Sequence, residues 1–123
     1  MTLLSNADFL VSVAEPTRLR ILNCVATAPL FVSDLVAILA LPQPTVSRHL
    51  KVLRELEIVR DLPIPPFVLY QLEILPAARA RLIRAVMEAV RLDPAAKAER
   101  AAALARSRAS TELRMAGAEA NAG

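Results

Sequence analysis

The sequence predicts a mostly α-helical fold with one small β-hairpin and five or six helices. Three observations carry that prediction. Apolar residues make up 55% of the chain while aromatics make up 3%, so the core is aliphatic and built from good helix formers. Prolines cut the chain into helix-length pieces whose apolar residues recur every three or four positions. Between Glu57 and Ile74 the period changes, and β-branched and aromatic residues flank the segment "PIPP". At 123 residues the chain fits one domain with a modest core.

Ser5 or Asn6 can cap a first helix that runs to about Ala14, where Glu15-Pro16 breaks it. Pro16 suits the first turn of a second helix, "PTRLRILNCVATA", with Leu19, Leu22 and Val25 at helical spacing. Pro29 ends it, and "LFV" is a short extended link. Ser33 is a credible N-cap for "DLVAILA", with Asp34 favoured at the positive helix end. Pro42 closes that helix, "LPQP" is a tight turn, and Pro44 opens a fourth helix reaching about Leu56. "EIVRDL" and "FVLYQLEI" then read as two strands with a rigid proline tip. Pro76 opens a fifth helix striped with Leu82, Ile83, Val86 and Val90. Beyond Pro94 the Ala- and Arg-rich tail has only Leu104, Leu113 and Met115 as large apolar residues, which leaves helix and disorder both open. The last nine or so residues are expected to fray.

Composition excludes several classes. No apolar run approaches the ~18 residues of a membrane span. The N-terminus lacks a basic region and Asp8 interrupts its apolar stretch, so it makes a poor signal peptide and the cytoplasm is the expected compartment. Cys24, the single cysteine, forms no internal disulfide, and one thiol is no metal site. Cys24 and His49 are the only residues of their kinds and fall on different helices, and the two glycines are Gly117 and Gly123. Neither a nucleophile–base pair nor a glycine-rich phosphate loop can be assembled, so no enzyme and no cofactor is expected. With 13 Arg and 2 Lys the net charge is +3, which is compatible with nucleic acid without requiring it.

The motif that carries function is "QPTVSRHLKVLREL", Gln43 to Leu56. On a wheel at about 100° per residue, Val46, Leu50 and Leu53 share one narrow face. Pro44, Ser47, Arg48, Lys51 and Glu55 point the other way. A solvated helix face carries such charge too. Here, however, the helix follows a short apolar helix and a tight turn, and a hairpin comes next. That order is a winged helix-turn-helix, whose second helix fits a DNA major groove.

"AEPTRLRIL" (Ala14 to Leu22) followed by "QPTVSRHLKVLRELEIVR" (Gln43 to Arg60) resembles the ArsR/SmtB family of bacterial transcriptional regulators, over roughly Phe9 to Ala89. The resemblance implies a homodimer joined through its first and fifth helices. It also implies paired recognition helices entering successive major grooves of a near-palindromic double-stranded operator. By position, Gln43, Thr45, Ser47, Arg48, His49 and Lys51 become the DNA-facing residues. The wheel sets His49 at the edge of the apolar face, which also suits a half-buried structural histidine. The expectation follows the resemblance, because an edge imidazole can still reach a phosphate or base. Residues 1–93 then form the DNA-binding and dimerisation domain, and 94–123 a C-terminal extension that is partly helical or disordered.

The chain departs from the family in three places. The position of a cysteine-pair metal site holds Phe31, Val32 and Ser33, which offer no soft donor. The fifth helix has Arg79, Arg81, Arg84 and Glu88 but no histidine, so no metal is expected there. The wing reads "DLPIPP", with no cation at its tip. Fewer wing contacts predict weaker binding with a flatter salt dependence, by roughly 0.9 in slope per phosphate lost. Cys24 reads first as a small buried hydrophobe. As a sensor it would need an exposed thiol beside a cation such as Arg20, four residues earlier. The expected function is a dimeric repressor released by an unknown inducer. A winged-helix protein–protein module without an operator is the alternative.

Overall fold

A computed structural model describes residues 3–122. Six helices and a three-stranded sheet follow one another as α1 (Leu3–Val13), α2 (Pro16–Val25), β1 (Leu30–Phe31), α3 (Val32–Leu39), α4 (Gln43–Glu55), β2 (Val59–Ile64), β3 (Phe67–Leu72), α5 (Ala77–Val90) and α6 (Pro94–Ala122). The mostly helical winged architecture read from the sequence is the one observed.

Details differ where tertiary bonds decide. α1 begins at Leu3, so Asn6 lies inside the helix and not at its cap. Glu15 caps α2, its Oε2 accepting the Arg18 N–H at 3.0 Å, and Pro16 follows in the first turn. Ser33 is not the cap of α3. Phe31 holds that position, and the Asp34 carboxylate reaches back to accept the Phe31 N–H at 3.0 Å. The link "LFV" is partly a third strand: the sheet order is β1-β3-β2, all antiparallel, with Leu30 opposite Tyr70 and Val59 opposite Leu72. Pairing extends to Pro63 and Ile64, so the hairpin tip shrinks to Pro65-Pro66, joined by a cis peptide bond.

The core is aliphatic. Ile21, Leu22, Leu30, Leu35, Val46, Leu50, Leu53 and Ile58 are fully buried, and Phe9 and Val13 of α1 join them. α5 contributes only Ile83 as a buried residue, with Leu82, Val86 and Met87 half-buried beside it.

α6 is helical through Ala122 in place of the expected fraying, and it lies across α2, α3 and β1. Its contact face is built from small residues. Ala96, Ala103 and Ser107 are buried, while the large residues Leu104 and Leu113 face outward. Bonds to polar groups hold it down. Asn23 donates from Nδ2 to the Ala96 carbonyl at 3.0 Å and accepts from Arg100 Nη1 at 3.1 Å. Arg20 forms a bidentate pair with Glu99, and Ser107 Oγ donates to the Pro29 carbonyl. Asp34, fully buried, accepts from Ser110 Oγ at 2.6 Å and lies 3.4 Å from Arg106 Nε.

α3 ends at Ala40, which takes left-handed backbone (φ 54°, ψ 44°) without being glycine. Holding a Cβ there costs about 1–2 kcal/mol. Ala40→Gly is therefore expected to stabilise the fold by about 0.5–1 kcal/mol once the extra freedom of the unfolded chain is set against that cost. A urea midpoint that falls on this substitution would contradict the account.

Candidate nucleic-acid interface

The turn between α3 and α4 is set by three residues. Ala40 reverses the chain, and Pro42 precedes α4, its carbonyl accepting the N–H groups of Thr45 and Val46 at 3.1 and 3.2 Å. Pro44 sits in the first turn, where its missing N–H goes unneeded. α4 is then fastened along one face: Val46, Leu50 and Leu53 are each 0% exposed. Burying that stripe fixes the rotation of the helix about its axis, so the residues on the other side have no freedom to turn inward.

The outward face carries Gln43, Ser47, Arg48 and Lys51, all exposed, and Thr45 at its half-buried margin. The face therefore combines donors, acceptors and one cation, Arg48, in the N-terminal half of the helix, the part that reaches base edges in a major groove, with a second cation, Lys51, about one turn further on.

His49 is placed differently from its neighbours. Its residue exposure is 8%, and its Nδ1 accepts from Arg18 Nε at 3.2 Å, with Glu15 Oε2 at 3.6 Å. The ring is turned into the protein, one of the two placements that its edge position on the wheel allowed, and away from the face that the resemblance assigned it. Arg18 in turn donates from Nη1 to the Ser12 carbonyl at 2.6 Å. His49 thus ties α4 to the start of α2 and the end of α1. Burial pushes its pKa down, Glu15 opposes that, and Arg18 and Arg48 add to it. The neutral ring accepts at Nδ1, so its proton resides on Nε2.

This arrangement predicts a pH dependence of stability. With the folded pKa below the ordinary value near 6.5, the unfolded chain binds the His49 proton more readily. Stability is complete above that value and falls as pH drops from it toward the folded pKa. The Glu15 contribution is lost only below its own ordinary range near 4.5: burial raises its pKa, but the Arg18 and Thr17 N–H groups together with the His49 and Arg18 charges lower it on balance. Urea unfolding at pH about 7.5 and about 5.5 should show a loss of stability that His49→Gln removes. An equal loss in that variant would exonerate His49.

Two residues outside the sequence-derived site belong to its surroundings. Arg54 follows Lys51 by three positions, the spacing that shares a helix face, and its Nη1 lies 3.4 Å from Asp61 Oδ2 at the root of the wing. That spacing was the available signal. Arg18 had none, because its partner His49 is 31 residues away. Next to the wing tip, Phe67 at the start of β3 packs on the protein itself, meeting Phe31 edge-on with ring centroids 5.9 Å apart at 71°.

Cys24 is 0% exposed in the core. Burial raises its pKa to about 12, Glu99 adds to the rise, and Arg20 only partly opposes it, being committed to Glu99. The thiol is protonated at neutral pH, whereas a single-thiol sensor needs an accessible thiolate. Among the described residues, no three of His, Cys, Asp or Glu come together as metal ligands would. No helix among them is long and apolar enough to cross a membrane.

A family model described as "Bacterial regulatory protein, arsR family" matches residues 15–61, which span α2 through the start of the wing. The comparison with curated proteins gave no match. Among solved structures, the chain is similar to the transcriptional repressor BigR from Xylella fastidiosa, at 29% identity and a TM-score of 0.57, covering 67% of this chain and 79% of that one. It is similar to the transcriptional regulator HlyU from Vibrio vulnificus CMCP6 at 30% identity and a TM-score of 0.55, covering 67% and 88%. Reduced HlyU from Vibrio cholerae N16961 matches at 28% identity and a TM-score of 0.61, covering 73% and 90%.

Proposed function

The chain belongs to the arsR family of bacterial regulatory proteins, and from that premise we propose that it is a dimeric, operator-specific transcriptional repressor. The observation that carries this reading is the exposed face of α4, where Ser47, Arg48 and Lys51 stand opposite a fully buried Val46–Leu50–Leu53 stripe. Gln43, Ser47 and Arg48 read base edges, because an amide, a hydroxyl and a guanidinium pair with the donors and acceptors of the major groove. Thr45 and Lys51 hold the phosphate backbone and set the register. His49 acts from inside, holding α4 against α2 and α1.

A pair of such helices requires two copies. α1 and α5 would join them, and the half-buried Leu82, Val86 and Met87 suit that role. The operator is then a near-palindrome with half-sites about one helical turn apart. Repression ends when an inducer favours a dimer whose two α4 helices no longer match successive grooves. BigR, described as a repressor, supports the sign of regulation.

The test is selection from random duplex DNA by the full chain, followed by titration and sedimentation of the complex. A near-palindromic consensus bound by two chains is the expected result. No enrichment, with binding no tighter than to bulk DNA at moderate salt, would replace this reading with a protein–protein module.

A further inference from the structure

A cavity of about 490 Å3 opens between α2, the end of α5 and the start of α6. Six of its ten lining residues are apolar, among them Leu19, Ala89, Val90 and Ala96. That size and lining suit a small organic molecule. Three charged residues complete the wall: Arg20, Asp93 and Glu99. Together they carry a net formal charge of −1, which disfavours an anion.

The polar groups are not all used. Arg20 donates from Nε to Glu99 Oε1 at 3.1 Å, and from Nη2 to Glu99 Oε2 at 2.7 Å and to the Leu39 carbonyl at 3.2 Å. A guanidinium has five N–H groups, and the two on Nη1 have no bond among the described residues. Asn23, in contrast, has both ends of its amide occupied, by Ala96 and Arg100. The cavity therefore offers an apolar bed, and Arg20, one of its lining residues, keeps a pair of donors that no described residue takes.

Arg20 also connects the cavity to the proposed DNA face. Leu39 is the last residue of α3, and Ala40, with its left-handed backbone, starts the turn that aims α4. A molecule drawing on Arg20 pulls at the bond that ends α3, and it shifts Glu99, through which α6 is held.

We infer that this cavity is a binding site for an uncharged, mostly apolar organic molecule bearing a hydrogen-bond-accepting oxygen, and that Arg20 couples its occupancy to the α3–α4 turn. The coupling rests on the operator reading; the site itself does not. In that role the molecule is the inducer, and its binding weakens the operator complex.

Prodan, an uncharged naphthyl ketone whose emission reports an apolar site, serves as the probe. Titrated into the full chain, it should bind saturably at one site per chain with blue-shifted emission. Ala95→Phe and Ala89→Phe, which fill the cavity from α6 and α5, should each abolish that signal while both proteins still unfold cooperatively. Prodan binding that persists in both filled variants would overturn the site. A negatively charged naphthalene sulfonate binding as tightly, and lost on filling, would overturn the ligand class. Saturating prodan should also weaken operator binding by wild type about tenfold, with no effect on Ala95→Phe. Saturable prodan binding with operator affinity unchanged would overturn the coupling through Arg20. The fluorescence titration needs no DNA, so it decides the site even if the chain selects no operator.

Discussion

Arg48→Ala is expected to weaken operator binding by about 1–3 kcal/mol and to relax sequence preference at one position of each half-site. The residue is exposed on α4, directly between Ser47 and the inward-turned His49, and the fastened stripe beneath it holds the helix in one rotation. Removing its guanidinium deletes a bidentate donor without disturbing the core. Lys51→Ala should act differently. A phosphate contact is blind to sequence, so affinity should fall on all DNA and the salt slope should drop by about 1. Titrations of both variants against matched and mismatched operators, at two salt concentrations, separate the roles. Wild-type affinity in Arg48→Ala would remove that residue from the interface. Loss of the thermal transition in either variant would contradict the exposed placement of its side chain.

Asp34→Ala is expected to cost about 2–3 kcal/mol of stability, a large effect for one carboxylate. The side chain is fully buried, accepts hydrogen bonds from Phe31 N–H and Ser110 Oγ, and forms an ion pair with Arg106 Nε at 3.4 Å, joining two distant parts of the chain. Its loss removes the carboxylate acceptor of the Phe31 N–H at the start of α3 and of the Ser110 hydroxyl on α6. The Arg106 share is discounted because that guanidinium is 45% exposed and water can replace its partner. Ser110→Ala removes one of the two hydrogen bonds and should cost about 1 kcal/mol. Urea unfolding of both variants tests this, and an Asp34→Ala loss no larger than that of Ser110→Ala would show that Asp34 does not anchor both α3 and α6.

Those two residues also mark how far the sequence could be read. Arg48 was legible because an amphipathic helix writes its own orientation in its spacing: Val46, Leu50 and Leu53 name the buried side, and the opposite side follows. Asp34 was legible only as a charge favourable at a helix start. Its cap function displaced the more conventional Ser33, because bonds to Ser110 and Arg106, more than 70 residues away, hold the carboxylate in the core. His49 shows the same limit. Its position at the edge of the stripe permitted either face, and Arg18, itself held by the Ser12 carbonyl, drew the ring inward. α6 was ambiguous for a further reason. A search for large apolar residues finds Leu104 and Leu113, which face outward, whereas the actual seam is Ala96, Ala103 and Ser107 with polar bonds between them.

By itself, the sequence determined the order of helices and hairpin, the family, and the side of α4 that faces away from the core. The order of elements and the outward side of α4 follow from local spacing, proline placement and apolar period, which act over a few residues, while the family rests on the resemblance of Ala14 to Leu22 and Gln43 to Arg60. Tertiary structure alone decided the third strand, the inward turn of His49, the docking of α6 and the cavity beside Arg20. Each of these depends on which distant polar groups meet, and no local period records that meeting.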